Sequence, residues 1–323
     1  MLQNFNQKIV RFFTLTVLIF GTVFLSDTVI QADGDLHEEM NFQPEQFPKL
    51  FPHPEDACIR ITRNADGTMR SMDTSLLTFV SPDGTTRVTL AGAIHLGEKS
   101  YYQALNRRFR DFDAVLYEMV GDDSPRPEKA EFSLDPIMIL QYSSGWLLDL
   151  EHQVGSIDYR APNFIHADMS TAEFLSAQLE YQDGALVWFL RSYGYQLGMN
   201  SVGSEFYSDL DLLKLVFLPN IRRTLLCSSA ESMADVRSSI APLEGKNGSS
   251  ILTARNEKAF RILREELDSG KKNVALFYGA AHLPDLMKRL EKELGMKPEK
   301  IEWFPCWIFA PEDPKPAAQE KNP

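Results

Sequence analysis

The chain has little cysteine. Three residues, Cys58, Cys227 and Cys306, are spread over 323 positions, and no two form a C-x-x-C pair. A thiolate metal site of the usual spacing is therefore excluded. An odd count leaves at least one thiol unpaired within the chain. Cys58 and Cys306 lie in segments that read as strands near the two ends of the domain, so that pair is the candidate disulfide. A basic excess is also lacking. Lys and Arg number 33 against 45 Asp and Glu, a net charge of −12. With no basic stripe to offset it, this argues against nucleic acid or an anionic lipid surface as partner. Also absent are a G-x-S-x-G nucleophile elbow, an H-E-x-x-H zinc motif, a Walker loop, and a G-x-G-x-x-G after a strand.

Long apolar runs are confined to the N-terminus. Lys8 and Arg11 precede an apolar stretch from Phe12 to Leu25, which Asp27 closes. That stretch is short for a membrane span and reads as the core of a secretory signal, residues 1–32, with cleavage after Ala32. The expectation is a secreted or periplasmic protein, anchored in the membrane if the signal stays uncleaved, with no integral span once it is removed. Pro44, Pro48, Pro52 and Pro54 then suggest an extended arm over 33–57. Residues 58–310 form one domain, for which a hydrophobic share of 44% supplies an ample core. A proline-rich polar tail, 311–323, reads as disordered.

Within the domain, strands alternate with helices. Leu76–Val80 and Thr85–Leu90 flank Pro82-Asp83-Gly84, a hairpin signal. Lys99–Phe109 has helical spacing, with Tyr102, Leu105 and Phe109 on one face. Asp113–Val120 reads as a buried parallel strand interrupted by Glu118. Asn163–Met169 is another strand, and Ser170 with Glu173 has capping-box spacing at the head of the next helix. Helical patterns fill an insertion of about 171–245, and 122–158 reads as a variable stretch. Ile251–Leu267 is a helix, Asn273–Tyr278 a strand, Pro284–Leu294 a helix closed by Gly295, and Glu302–Phe309 a final strand. This order predicts an α/β domain with a mixed central sheet flanked by helices, and a helical insertion between two halves.

One motif appears in both halves. Gly92-Ala93-Ile94-His95-Leu96 and Gly279-Ala280-Ala281-His282-Leu283 share the pattern G-A-x-H-L, each after an apolar run and each followed by an acid, Glu98 or Asp285. Both copies place a histidine just past a strand, where a helix begins. In open α/β sheets, sites form beyond the carboxyl ends of the strands. His95, Glu118, His166 with Asp168, and His282 all fall at such ends.

Two imidazoles with one or two carboxylates suit a borderline divalent metal, Mn, Co or Zn, that acidifies bound water. His95, Glu118 and His282 are the candidate ligands. Asp168 is a fourth ligand or a base, and His166 a supporting residue at the same metal. Without a metal, the same groups form an acid–base system. Each has a structural alternative. A glutamate in an apolar strand can be half of a buried salt bridge. Asp168 can merely assist a helix cap, and Glu98 and Asp285 can complement helix dipoles, although Glu98 is also kept as a candidate catalytic acid. Arg255 and Asn256 lie on or beside the apolar face set by Leu252, Ala259 and Leu263. A buried arginine pairs by default with a carboxylate; its functional reading is a cation that steadies Glu118 or a developing oxyanion.

At these residues the chain resembles the TraB/TIKI superfamily, which takes in GumN-like, ChaN-like and erythromycin-esterase-like proteins. The matching pieces are Gly92–His95, the strand ending in Glu118, the Arg255-Asn256 pair, and Gly279–His282, in order between about Leu76 and Phe309. The resemblance implies a mixed-sheet fold and, for TIKI-like members, a metal-dependent peptidase using the two histidines and the glutamate. ChaN-like members imply a haem- or ligand-binding module without turnover, and erythromycin-esterase-like members a metal-free esterase with a histidine base. The segment His166-Ala167-Asp168-Met169 departs from the D-R that TraB-like members more often carry there. The expected partner is a peptide or small-molecule substrate.

Overall fold

A computed structural model describes residues 37–121, 150–184, 186–188, 190–191 and 221–309. The expected signal segment, most of the 122–158 stretch, the middle of the helical insertion and the tail lie outside these residues. Among the described residues, no helix is long and apolar enough to cross a membrane.

The chain enters as a short strand, β1 (Glu38–Asn41), followed by two 3-10 turns, Pro44–Gln46 and Pro54–Ala57, on either side of a four-residue helix, α1 (Phe47–Leu50). The described part of the arm is thus not extended throughout. Pro44, Pro48 and Pro54 each sit at the first or second position of a helical turn, where a missing N–H costs nothing. Two antiparallel strands follow, β2 (Ile59–Arg63) and the twelve-residue β3 (Met69–Val80). The hairpin turn, with Gly84 at φ 72°, leads into β4 (Arg87–Ala93). A two-residue strand, β5 (Leu96–Gly97), precedes helix α2 (Lys99–Phe109), and β6 (Ala114–Tyr117) follows.

After the undescribed stretch come β7 (Glu151–His152), the single-turn helix α3 (Gln153–Ser156) and β8 (Phe164–His166). Helix α4 (Thr171–Tyr181) starts on the expected capping box, in which Ser170 accepts the Glu173 N–H, and ends at Gln182 in the left-handed region. After a second undescribed stretch come α5 (Ile221–Ala234) and α6 (Val236–Ile240). A π-helical turn, Ser250–Ala254, runs into α7 (Arg255–Asp268). Strand β9 (Asn273–Gly279), helix α8 (Leu283–Leu294) and strand β10 (Lys297–Ile308) complete the fold.

Eight strands form one mixed sheet in the order β1-β10-β3-β4-β9-β6-β8, with β2 beside the first half of β3. The half containing β4, β9, β6 and β8 is parallel and the other half antiparallel. All four residues of β6 and all of β4 beyond Arg87 are buried, as their near-continuous apolar sequences require. Helices α7 and α8 pack together, α7 against β6 and β9 and α8 against β4, while α2 lies against β10. Leu283, Leu286, Met287 and Leu290, buried on α8 together with Pro284, have the spacing of one helical stripe.

The candidate disulfide does not form. Cys58 and Cys306 are free and fully buried, and Cys306 Sγ donates to the Met72 carbonyl at 3.1 Å. Burial pushes both thiols well above their ordinary range, which keeps them protonated and inert.

Candidate functional site

Four neighbouring parallel strands deliver the candidate residues to one end of the sheet. β6 ends one residue before Glu118, β8 two residues before Asp168, and β9 three residues before His282. β4 ends two residues before His95. Arg255 and Asn256 open α7, which packs across β6 and β9.

Arg255 joins two of these ends. Its Nη2 donates to Glu118 Oε1 at 2.7 Å and to Asp168 Oδ2 at 2.5 Å, and its Nε donates to Asp168 Oδ1 at 3.0 Å. Arg255 is 7% exposed and Asp168 2%. Burial works against the guanidinium charge, but Glu118 and Asp168 outweigh it and hold Arg255 more firmly charged than a free arginine. The bridge expected as its default reading is therefore present, and it is made with two carboxylates. Asp168 also accepts the Met169 N–H at 2.8 Å.

Glu118 is held at both oxygens. Its Oε2 accepts the Gly279 N–H at 2.6 Å, while Oε1 faces Arg255 and lies 3.6 Å from His282 Nε2. Burial alone would raise its carboxyl, yet the charges of His282 and Arg255 bring it well below the usual carboxylate range, with a smaller contribution from His95. Gly279 is required here for space, because a Cβ would stand 3.2 Å from Glu118 Oε2.

His282 is buried, at 4% exposed, in a 3-10 turn (Ala280–His282) that leads straight into α8. Its Nδ1 lies 2.7 Å from Asn256 Oδ1, so Nε2 is the nitrogen turned toward Glu118. Sequence reasoning overlooked Tyr278. This tyrosine is fully buried, donates its hydroxyl proton to the Ala167 carbonyl and stands edge-on to His282 at 5.3 Å. Burial, then the Asp168 and Glu118 charges, push its phenol well above the ordinary range, so it is a fixed neutral donor. Its place one residue before the second motif was the only signal available.

The two copies of the motif do not fold alike. In the parallel pairing of β4 with β9, Gly92 stands opposite Tyr278 and Ala93 opposite Gly279. The copies are thus one residue out of register, which in a strand exchanges the faces. The first copy continues as extended chain because its neighbours take up its backbone groups. Tyr101 and Tyr102 donate to the Gly92 and Ile94 carbonyls, Trp307 Nε1 donates to the Leu96 carbonyl at 2.7 Å, and β5 pairs with β7. His95 is left exposed, four residues before α2 begins, although its charge still reaches Glu118.

The remaining candidates stand apart from this centre. His166 Nε2 lies 2.6 Å from the Met119 carbonyl, so that nitrogen carries a proton and offers a metal no lone pair. Glu98 is the N-cap residue of α2, and its N–H donates to the Cys306 carbonyl of β10 at 2.9 Å. His152, across from Leu96, is driven toward its neutral form by burial and then by the His95 charge.

No family model, no curated protein and no solved structure matches this chain. The chemistry must therefore be read from the site. Two carboxylates and one guanidinium leave one buried negative charge beside His282 Nε2. A divalent metal would find donors in His282 Nε2 and Glu118 Oε1. Among the described residues, no three His, Cys, Asp or Glu side chains come together in a way that could hold a metal ion, one short of the three protein ligands of a catalytic zinc.

Proposed function

We propose that the chain is an exported hydrolase of peptide or similar amide or ester bonds, with His282 and Glu118 as its acid–base centre. The observation that carries this reading is His282 Nε2 facing Glu118 Oε1 at 3.6 Å, in a buried cluster one negative charge in excess. Neutral His282 takes a proton from water as the water attacks the substrate carbonyl. The imidazolium so formed lies beside an ionised glutamate, which stabilises it until the proton passes to the leaving amine or alcohol. Arg255 keeps Glu118 ionised and in place, and the Gly279 N–H fixes its second oxygen. The helix N-terminus at Leu283 adds a favourable field for the charge that develops on the substrate oxygen.

A second reading makes the hydrolase metal-dependent, with Mn, Co or Zn. The excess negative charge next to His282 Nε2 favours it. His282 and Glu118 would hold the ion, which would supply an acidified water. With two donors among the described residues, the steps above are assigned to the side chains.

Both readings meet in one experiment. The purified protein is assayed on a chromogenic ester and on a fluorogenic peptide mixture, alongside elemental analysis. Turnover that persists in chelator supports the acid–base centre. Stoichiometric metal that is lost in His282→Ala, together with activity, supports the metal form. Wild-type protein that cleaves neither substrate class, with or without added Mn, Co or Zn, overturns the proposal.

A further inference from the structure

Asn256 is fully buried and makes three polar contacts, all with the second motif and the helix that follows it. Its Nδ2 donates to Asp285 Oδ2 at 3.0 Å and toward the His282 carbonyl at 3.4 Å, and its Oδ1 faces His282 Nδ1 at 2.7 Å. Asp285 is itself fixed by Arg289, whose Nε donates to the same Oδ2 at 2.7 Å.

These contacts allow one orientation of the amide. An ionised carboxylate only accepts, so the Asn256 group facing Asp285 must be the NH₂. A flipped amide would set Oδ1 against the carboxylate and Nδ2 against the carbonyl and the ring. With Nδ2 placed, Oδ1 points at His282 Nδ1, and because an amide oxygen only accepts, Nδ1 must carry the proton. The chain Arg289–Asp285–Asn256–His282 therefore writes the histidine tautomer from the surface inward. Nε2, the nitrogen toward Glu118, is the one left to exchange a proton.

We infer that Asn256 is a positioning residue that locks His282 in the Nδ1–H tautomer and so presents Nε2 as the working nitrogen. The proton on Nδ1 follows from the contacts; its consequence for turnover rests on the hydrolase reading. The inference also gives Asp285, the acid of the second motif, a role that Glu98 in the first motif does not share: it orients the amide.

The test is nitrogen-15 NMR of the His282 ring in the full chain, assigned by loss of its signals in His282→Ala. The wild type should show one neutral tautomer, protonated at Nδ1. Asn256→Leu should give a mixture or the Nε2–H form, with kcat lowered about tenfold or more and KM little changed. The reciprocal swap, Asn256→Asp with Asp285→Asn, rebuilds the chain with donor and acceptor exchanged. It should restore the Nδ1–H form, and it serves as the test if Asn256→Leu does not fold. Wild-type His282 protonated at Nε2, or a pure Nδ1–H form retained in Asn256→Leu, overturns the inference. So does a swap variant that folds without the Nδ1–H form. If the tautomer responds as stated while no substrate is turned over, the hydrolase reading fails and the positioning role stands.

Discussion

At the residue scale, the site is a matter of which lone pairs and protons are already committed. Glu118 has a donor on each oxygen, Arg255 serves two carboxylates, and His282 keeps one nitrogen unspent. Gly279 is the tightest point of this arrangement. In Gly279→Ala the new Cβ meets Glu118 Oε2 at 3.2 Å, and that oxygen cannot yield because it accepts the Gly279 N–H itself. Thermal melts should show a loss of about 1–3 kcal/mol with a fall in activity. Gly121→Ala, where nothing lies within 4 Å of a Cβ, should leave both unchanged. Most of these residues were legible in the sequence, because a histidine, a glutamate or an arginine in an apolar segment must be accounted for. The Arg255–Asp168 contact was not. Nothing in the spelling of His166-Ala167-Asp168-Met169 says that Asp168 turns to a helix beginning 87 positions later, rather than to its own helix cap.

At the element scale, local signals were strong wherever capping or periodicity decides. Lys99–Phe109 is a helix with the expected ends, and Ser170 with Glu173 opens α4. Ser170→Ala should therefore cost about 1 kcal/mol in chemical denaturation. The signals failed where long-range pairing decides. Of β3 and β10 the sequence placed only Leu76–Val80 and Glu302–Phe309 in strands, whereas β3 begins at Met69 and β10 at Lys297, since the two extend each other along almost their full length. The repeated motif misled in the same way. Its letters are local, but the one-residue offset between β4 and β9 is set by the sheet, and it exposes His95 while it buries His282.

Strand β10 carries another buried acid, Glu302. Burial would raise its carboxyl, but the hydrogen bonds and charge of Arg108, with Lys300, bring it below the ordinary value. A lowered carboxyl stabilises the fold above its unfolded pKa, about 4.3, and that stabilisation is lost as pH falls through the folded value. Urea denaturation should therefore find Glu302→Gln less stable than wild type at about pH 7, with the gap closing below about pH 4. A gap that widens in acid would reverse the sign of this contribution.

At the scale of the whole molecule, the mixed sheet explains why the site is where it is. The antiparallel strands β1, β10, β3 and β2 form a platform, and only the parallel half brings several carboxyl ends to one edge. The fold class and the edge at which the candidates gather were readable from the alternation of strands and helices. The strand order was not, because β9 inserts between β4 and β6, which precede it in the chain. That insertion brings His282 beside Glu118 and makes the pair one unit. The most direct measurement of this claim is a double-mutant cycle in kcat/KM on the best ester or peptide substrate, with circular dichroism to verify folding. His282→Ala and Glu118→Gln should each lose about 10²–10⁴-fold, and the double variant should lose no more than the worse single one. Losses that multiply, or a single variant that keeps wild-type activity, would contradict a shared centre.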